Sequence, residues 1–208
     1  MDRRKFLATS AAVGTSISLS AFAQDSETAT EVVINDMVIG SDAEDALTLV
    51  EYASFTCPHC GSFHEQVWPD LKANYIDTGK IKFVHREVMR NRADLWASLI
   101  ARCDEGSKFF GITDMLFKDQ KGWTQGSEAD IADNLRKIGL LAGFDKTAVD
   151  ACFSDRDFAL ALIEKTQADN EADAVQGTPT LILDGTTLER FDYETLSTAI
   201  DDALASRG

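Results

Sequence analysis

The stretch Leu47-Thr-Leu-Val-Glu-Tyr-Ala-Ser-Phe-Thr-Cys-Pro-His-Cys60 decides the fold of this chain. Residues 47–55 are mostly apolar, which predicts a strand that is buried on both faces of a sheet. An apolar stripe with a spacing of four residues follows and predicts a helix that begins at the two cysteines. Its members are Phe63, Val67, Leu71 and Tyr75. Pro69 lies inside this pattern and is expected to kink or divide the helix.

The motif Cys57-Pro58-His59-Cys60 stands where the predicted strand runs into the predicted helix. This position places the first sulfur at a helix N-terminus, where free backbone N–H groups and the helix dipole favour a thiolate. Pro58 suits the first helical turn because its missing N–H costs nothing there. His59 adds an imidazole that can stabilise the thiolate. The motif therefore favours a redox-active disulfide between Cys57 and Cys60.

Two other kinds of site can use the same residues. The cysteine pair with His59, His64 or His85 could bind zinc, although the second close pair of ligands that zinc fingers and ribbons carry is missing. A purely structural disulfide is the other alternative, but the tight ring of a C-x-x-C motif favours thiol exchange. Redox chemistry is the preferred interpretation, with no metal and no dissociable cofactor.

The rest of the chain predicts an α/β layer fold that a helical block interrupts. A second strand is predicted over 81–88, and helical periodicity with glycine breaks runs through 91–175. Asp184-Gly185 then predicts a hairpin between strands at 180–183 and 186–191. A last amphipathic helix is predicted over 193–205. The fold class is therefore α/β with an inserted all-helical block.

The dipeptide Thr178-Pro179 is the second clue to function. A proline at the start of a strand removes a hydrogen-bond donor, so it requires a sheet edge, a bulge or a cis peptide bond. A cis bond would turn the Thr178 backbone outward and leave its polar groups free to pair with an extended peptide. We therefore expect Thr178 and Pro179 to bind substrate.

The first 23 residues predict a secretory signal peptide. They combine the basic Arg3-Arg4-Lys5, a short apolar run and an A-x-A site, which places cleavage between Ala23 and Gln24. The alternative is an amphipathic surface helix of the mature protein. The two arginines also resemble the twin-arginine export motif. Export leads to an oxidising compartment, the periplasm, where disulfides persist.

Composition excludes several classes of partner. The chain has 208 residues, of which 44% are hydrophobic, and it carries 35 acidic against 20 basic residues, for a net charge of −15. This is globular composition, and so acidic a chain repels nucleic acid phosphates and anionic lipids. No stretch after residue 23 approaches about 18 consecutive apolar residues, so residues 24–208 are expected to form one soluble domain.

Cys103 and Cys152 lie in the helical block, each on an apolar helical face. In an exported protein the simplest interpretation is a structural disulfide that joins two helices. The alternative is a pair of unrelated buried thiols. A second catalytic pair is disfavoured because neither cysteine has a C-x-x-C partner.

The stretch from Glu51 to Cys60, the Gly177-Thr-Pro-Thr180 segment and the inserted helical block together resemble the DsbA family of exported thiol:disulfide oxidoreductases. The resemblance implies a thioredoxin-like fold, an exposed nucleophile at Cys57 and a buried partner at Cys60. It also implies that Pro179 faces the disulfide. Family members are re-oxidised by a DsbB-like membrane partner that passes electrons to quinone.

Three positions bear on how the redox pair is tuned. Glu51 lies on the strand that leads to the motif, so we expect a partly buried carboxyl that exchanges protons during catalysis, with its pKa raised by desolvation. His64 replaces an acidic residue of the best-known enteric family member, and Thr178 replaces its valine. Threonine before this proline also occurs in the isomerase branch.

These observations predict a periplasmic oxidase that donates its Cys57–Cys60 disulfide to reduced exported proteins and works as a monomer. An isomerase or reductase with the same residues is the nearest alternative. A non-catalytic peptide-binding chaperone that uses the groove at Pro179 is a more distant one.

Overall fold

The computed structural model of this protein describes residues 32–207. The predicted signal peptide, residues 1–23, lies outside them. In the described part of the chain, no helix has the length and apolar character needed to cross a membrane.

Five strands and nine α-helices make up the described chain. The strands are β1 (Met37–Gly40), β2 (Thr48–Ala53), β3 (Lys82–Glu87), β4 (Thr180–Leu183) and β5 (Thr186–Leu188). The helices are α1 (Pro58–Gln66), α2 (Trp68–Leu71), α3 (Arg92–Ala101), α4 (Phe109–Lys118), α5 (Gln120–Trp123), α6 (Glu128–Leu141), α7 (Lys146–Ser154), α8 (Arg156–Ala172) and α9 (Tyr193–Ala205). A π-helical turn, Lys72–Ile76, continues α2.

The strands form one mixed sheet in the order β1-β3-β2-β4-β5. The central strand β2 runs parallel to β3 and antiparallel to β4. Side chains on both faces of β2 are buried, as its apolar sequence predicts; Leu49 and Tyr52 have no exposed surface. In this register Glu51 of β2 stands opposite His85 of β3.

The predicted helix after the cysteines is divided at the expected place. Helix α1 ends at Gln66, and α2 begins at Trp68 with Pro69 in its first turn. Val67 between them departs from helical geometry, with φ −116°. The division occurs just before Pro69 because a proline cannot donate a hydrogen bond to the preceding turn and its ring crowds that turn.

Helices α3 to α8 form the predicted helical block. Helices α3 to α7 share one hydrophobic core with one face of the sheet, whereas α8 packs in a smaller cluster with Ile34 and Leu99. That core contains Phe55, Cys57 and Cys60 beside side chains of the block, including Phe109 and Leu116. A second core lies beside it on the same face of the sheet, where Leu49 and Phe83 pack against α1, α2 and α9. The two cysteines of the motif are therefore part of the packing between sheet and block.

The hairpin between β4 and β5 is present but shorter than predicted. Asp184 and Gly185 both adopt left-handed conformations, with φ of 50° and 83°, as a tight two-residue turn requires. The second strand ends at Leu188 and does not extend to Phe191 as predicted. Pairing stops there because, in this register, the next residues would face Thr180 and Pro179, and a proline has no N–H to donate to the ladder.

Candidate active site

Cys57 is the N-cap residue of α1, and Pro58 follows in the first turn. The Cys57 backbone is extended, with φ −80° and ψ 120°, while its carbonyl already accepts the N–H of Gly61 at 3.1 Å. The free N–H groups of the first turn therefore lie beside the Cys57 sulfur, as the strand-to-helix pattern predicts.

The proline loop lies directly against this helix start. The Thr178–Pro179 peptide bond is cis, which is one of the three arrangements that the sequence allows. The Cys57 thiol donates a hydrogen bond to the Thr178 carbonyl at 3.3 Å. The structure thus brings together two motifs that are 121 residues apart in the chain.

The nucleophile position is less exposed than the family resemblance implies. Cys57 is 2% exposed and Cys60 is fully buried, and both are free thiols. Cys57 lies in the wall of a groove of about 390 Å³, whereas the loop at Thr178 covers much of its surface. The other residues that line the groove are His59, Val88, Arg90, Asn170, Val175, Gln176, Gly177 and Thr178. The groove is therefore the side from which Cys57 can be approached.

The two thiols differ in acidity. Burial acts to raise the pKa of Cys57, but hydrogen bonding with the Thr178 side chain and with the backbone N–H groups of Cys60 and His59 outweighs burial, so this pKa is lowered. Burial and the nearby negative charge of Glu51 raise the pKa of Cys60. Cys57 is therefore the more acidic of the two thiols and ionises at lower pH than Cys60.

The carboxyl of Glu51 has a lowered pKa, not the raised pKa that the sequence predicts. It is fully buried, and burial does act to raise the pKa of its carboxyl. The charge of His64 and the hydrogen bonds with His64 and His85 together outweigh the effect of burial, and they lower the pKa of Glu51 to about 2. The expectation was wrong because it considered desolvation without the two imidazoles that the fold places beside the carboxylate.

These imidazoles lie within hydrogen-bond distance of Glu51. His64 Nε2 is 3.1 Å from both Glu51 oxygens, and His85 Nδ1 is 3.2 Å from Oε2. His85 belongs to the neighbouring strand, and His64 lies one helical turn after Cys60. The buried cluster Glu51–His64–His85 therefore lies behind the redox motif.

Two polar residues that sequence reasoning missed hold the backbone around the motif. Asp94 is buried and accepts hydrogen bonds from Ser54 Oγ at 2.9 Å and from the Thr56 N–H at 2.9 Å. The Gln120 amide donates to the carbonyls of Phe55 and Cys57, both at 2.9 Å. Both residues belong to the helical block, and their distance along the chain left no signal in the sequence.

The remaining cysteines are in a different setting. Cys103 and Cys152 form a disulfide in the structure, with their Cα atoms 5.7 Å apart. Cys103 directly follows the end of α3, and Cys152 belongs to α7. The bond therefore joins two helices within the block, away from the cis-proline loop.

Comparison with known proteins places these features in context. A family model described as Thioredoxin matches residues 32–202. A Rickettsia bellii protein named as a protein-disulfide oxidoreductase is 36% identical over 171 residues, which are 82% of this chain and 65% of that protein. Disulfide bond formation protein D of Bacillus subtilis is 26% identical, with 82% of this chain and 78% of that protein covered. The chain thus spans less than two thirds of the Rickettsia protein.

A solved structure shares the architecture. The crystal structure of Wolbachia pipientis alpha-DsbA1 superimposes with a TM-score of 0.73 at 22% sequence identity, and the match covers 85% of this chain and 94% of that one. The agreement confirms the predicted fold class, a thioredoxin-like sheet with an inserted helical block.

Proposed function

This chain belongs to the thioredoxin family, and from that membership we propose that it is a protein-disulfide oxidoreductase of the DsbA type that oxidises exported proteins. The observation that carries the proposal is the meeting of Cys57, at a helix N-terminus, with the Thr178–Pro179 loop across a groove. The names of the Rickettsia and Bacillus relatives support it.

The proposed reaction transfers one disulfide in two exchange steps. A substrate thiolate attacks Cys57 Sγ of the Cys57–Cys60 disulfide, which forms a substrate–Cys57 disulfide and releases Cys60 as a thiolate. Cys60 then takes up a proton. A second substrate thiolate attacks the substrate sulfur of the mixed disulfide and releases Cys57 as a thiolate. The substrate loses two electrons, and the protein keeps them as two thiols.

The unequal acidity of the two thiols favours this direction. A lowered pKa makes Cys57 the better leaving group, so the second step is fast. A raised pKa keeps Cys60 protonated, so it attacks the mixed disulfide slowly and does not return the substrate to its reduced form. Glu51 contributes through its negative charge near Cys60. His59 and Pro58 form the first turn beside Cys57.

Substrate binding is assigned to the groove at the proline loop. In the proposal, an extended segment of substrate pairs with the backbone of Thr178 next to Pro179, while its cysteine faces Cys57. This contact needs no cofactor. Cys103 and Cys152 are proposed to serve as a structural disulfide with no part in exchange.

The cellular setting completes the proposal. Residues 1–23 would direct export and be removed near Ala23, so that the domain from residue 24 acts as a monomer in the periplasm. A DsbB-like, quinone-linked membrane partner would remove two electrons from the Cys57 and Cys60 thiols and restore the disulfide.

Trapping of the mixed disulfide tests the exchange chemistry. In the Cys60→Ser variant, with Cys57 first converted to a mixed disulfide with glutathione, the thiolate of a reduced substrate protein carrying one cysteine is expected to displace glutathione. The resulting substrate–Cys57 disulfide should accumulate, which non-reducing electrophoresis with mass spectrometry detects. The matched Cys57→Ser variant is expected to trap none. Trapping through Cys60 in the Cys57→Ser variant, or no trapping in either variant, would overturn the assignment of the nucleophile.

The reduction potential separates the oxidase from its alternatives. Equilibration of the Cys57/Cys60 pair with glutathione is expected to give a value near the roughly −120 mV of DsbA. A value toward the roughly −270 mV of thioredoxin would indicate a reductase instead. A peptide-binding chaperone would keep its function in Cys57→Ser, which an oxidase would lose.

A further inference from the structure

The Glu51–His64–His85 cluster contains two histidines that the proposed disulfide exchange does not use. Glu51 and His85 are fully buried and His64 is 7% exposed. One ligand atom from each residue can be chosen so that all three lie within 4.8 Å of one another. Two imidazoles and one carboxylate are a donor set that binds zinc and similar divalent metals in proteins.

The polar contacts of both rings converge on one carboxylate. His64 Nδ1 and His85 Nε2, the outer ring nitrogens, are buried and have no hydrogen-bond partner among the described residues. Aromatic packing holds the rings in place instead. His64 stacks on Phe117 with ring centroids 3.9 Å apart, and His85 stacks on Phe55 at 5.7 Å. Within residues 32–207, each ring therefore makes its hydrogen bonds to Glu51 alone, and aromatic packing fixes its orientation.

The spacing of the donor atoms suits a metal ion. Bonds of about 2.0–2.1 Å at tetrahedral angles place neighbouring ligand atoms about 3.3 Å apart. The distances from Glu51 oxygens to His64 Nε2 and His85 Nδ1 are 3.1 and 3.2 Å. Both nitrogens thus lie at ligand spacing from the carboxylate and within 4.8 Å of each other, and metal binding would replace ring protons and draw the imidazoles toward one ion.

One member of the cluster borders a cleft. His64 lies in the wall of a cleft of about 860 Å³ between α1–α2 and α4–α5, and Trp68, Asp114 and Phe117 line it as well. This cleft is separate from the substrate groove at Cys57, whose lining residues differ. The cluster is therefore nearest to solvent at His64, on a side that the cysteines do not line.

We propose that Glu51, His64 and His85 form a binding site for one divalent transition-metal ion of the zinc class. The nitrogen donors select such metals over Mg²⁺ and Ca²⁺, which prefer oxygen ligands. The site departs from the sequence-based expectation of no metal. The zinc alternative considered there used the C-x-x-C cysteines, whereas the structure pairs His64 and His85 with Glu51.

Cobalt(II) binding tests the proposal in a protein that cannot perform thiol exchange. The Cys57→Ser/Cys60→Ser variant, free of any histidine tag and with its Cys103–Cys152 disulfide intact, is titrated with Co²⁺ and then with Zn²⁺. We expect one Co²⁺ per chain, with a visible d–d absorption that Zn²⁺ abolishes by displacement. Because the redox cysteines are absent, failure of this test is distinct from failure of the proposed oxidoreductase.

Single substitutions in the same background assign the ligands. His85→Gln and Glu51→Gln are each expected to weaken Co²⁺ binding at least about 100-fold, since loss of even an outer-sphere partner costs 10–100-fold. His59→Gln is the matched control, because His59 is the third of the three histidines in the chain, and it should leave binding unchanged.

Circular dichroism and the urea midpoint show whether each variant is folded; if His85→Gln is not, Glu51→Gln carries the assignment. No saturable Co²⁺ absorption in the parent variant would overturn the proposal. Binding that persists in folded His85→Gln and Glu51→Gln, or that is lost in His59→Gln, would overturn it as well.

Discussion

The two cysteine pairs show that burial alone does not decide thiol reactivity. Cys57 is 2% exposed, whereas Cys152 of the disulfide is partly exposed. Yet Cys57 has a helix N-terminus, a carbonyl contact to the cis-proline loop and a groove beside it. Cys152 lies inside a helix and is bonded to Cys103, 49 residues away. Hydrogen-bond donors at a helix start and an opposing loop, rather than exposure, therefore distinguish the proposed redox pair from the structural disulfide.

The sharpest test of this comparison is to remove each pair in turn. Cys57→Ser is expected to reduce disulfide transfer to the uncatalysed rate, because no other sulfur of the described residues lines the groove. Cys103→Ser/Cys152→Ser should retain nearly full transfer at a temperature where it is folded. Oxidation of a reduced model protein, followed by the return of its activity, measures both. Equal loss in the two variants would contradict the division of roles.

The free energy of unfolding should rank the two variants in the opposite order. Closing a loop of 49 residues stabilises a protein by about 4 kcal/mol in the chain-entropy model. Urea unfolding of Cys103→Ser/Cys152→Ser is therefore expected to give a free energy of unfolding lower by up to about 4 kcal/mol. Cys57→Ser, assayed beside it under the same conditions, should change far less. A larger loss in Cys57→Ser would invalidate the structural interpretation of the second pair.

A third variant tests whether the helical block positions the motif. Asp94→Asn removes the charge from a buried acceptor of the Ser54 hydroxyl and the Thr56 and Arg90 N–H groups. We expect a loss of about 1–3 kcal/mol in unfolding free energy, the cost of an impaired buried acceptor. Transfer should slow as well, because the residues before Cys57 lose their support. Asp133→Asn, an exposed site in the same block, is the control.

The smallest expected effect is a shift in pH dependence. Because the pKa of Cys57 is lowered, its thiolate persists as pH falls below the ordinary cysteine pKa. In Cys60→Ser, alkylation of Cys57 by iodoacetamide should therefore remain fast to a lower pH than alkylation of an ordinary cysteine. In Cys57→Ser, Cys60 should react slowly at neutral pH because its pKa is raised. Equal profiles would contradict the assigned acidities.

Much of this comparison could be predicted from local sequence. The strand-to-helix junction, the break at Pro69 and the tight turn at Asp184-Gly185 all depend on neighbouring residues, and the structure has each of them. The direction of the Glu51 pKa could not be predicted in the same way. It depends on His85, which the strand register places opposite, and on His64, which the helix turns toward the carboxylate.

The same reasoning explains why Asp94 and Gln120 were missed. Their partners around the motif are 38 to 65 residues away in the chain, so only the packing of the block against the sheet shows the contact. The shorter second strand of the hairpin has a different cause, because the residues after Leu188 would face the start of β4 at Thr180 and Pro179.

The Gln120 amide sets a limit for protein engineers who would shrink this molecule. It bridges the carbonyls of Phe55 and Cys57, and Gly61 leaves the room it occupies, since a Cβ there would come within 2.6 Å of its oxygen. Deleting the helical block to obtain a minimal thioredoxin would remove this side-chain donor from the Phe55 and Cys57 carbonyls. A smaller version would need a replacement hydrogen-bond donor, designed into the loop before Cys57.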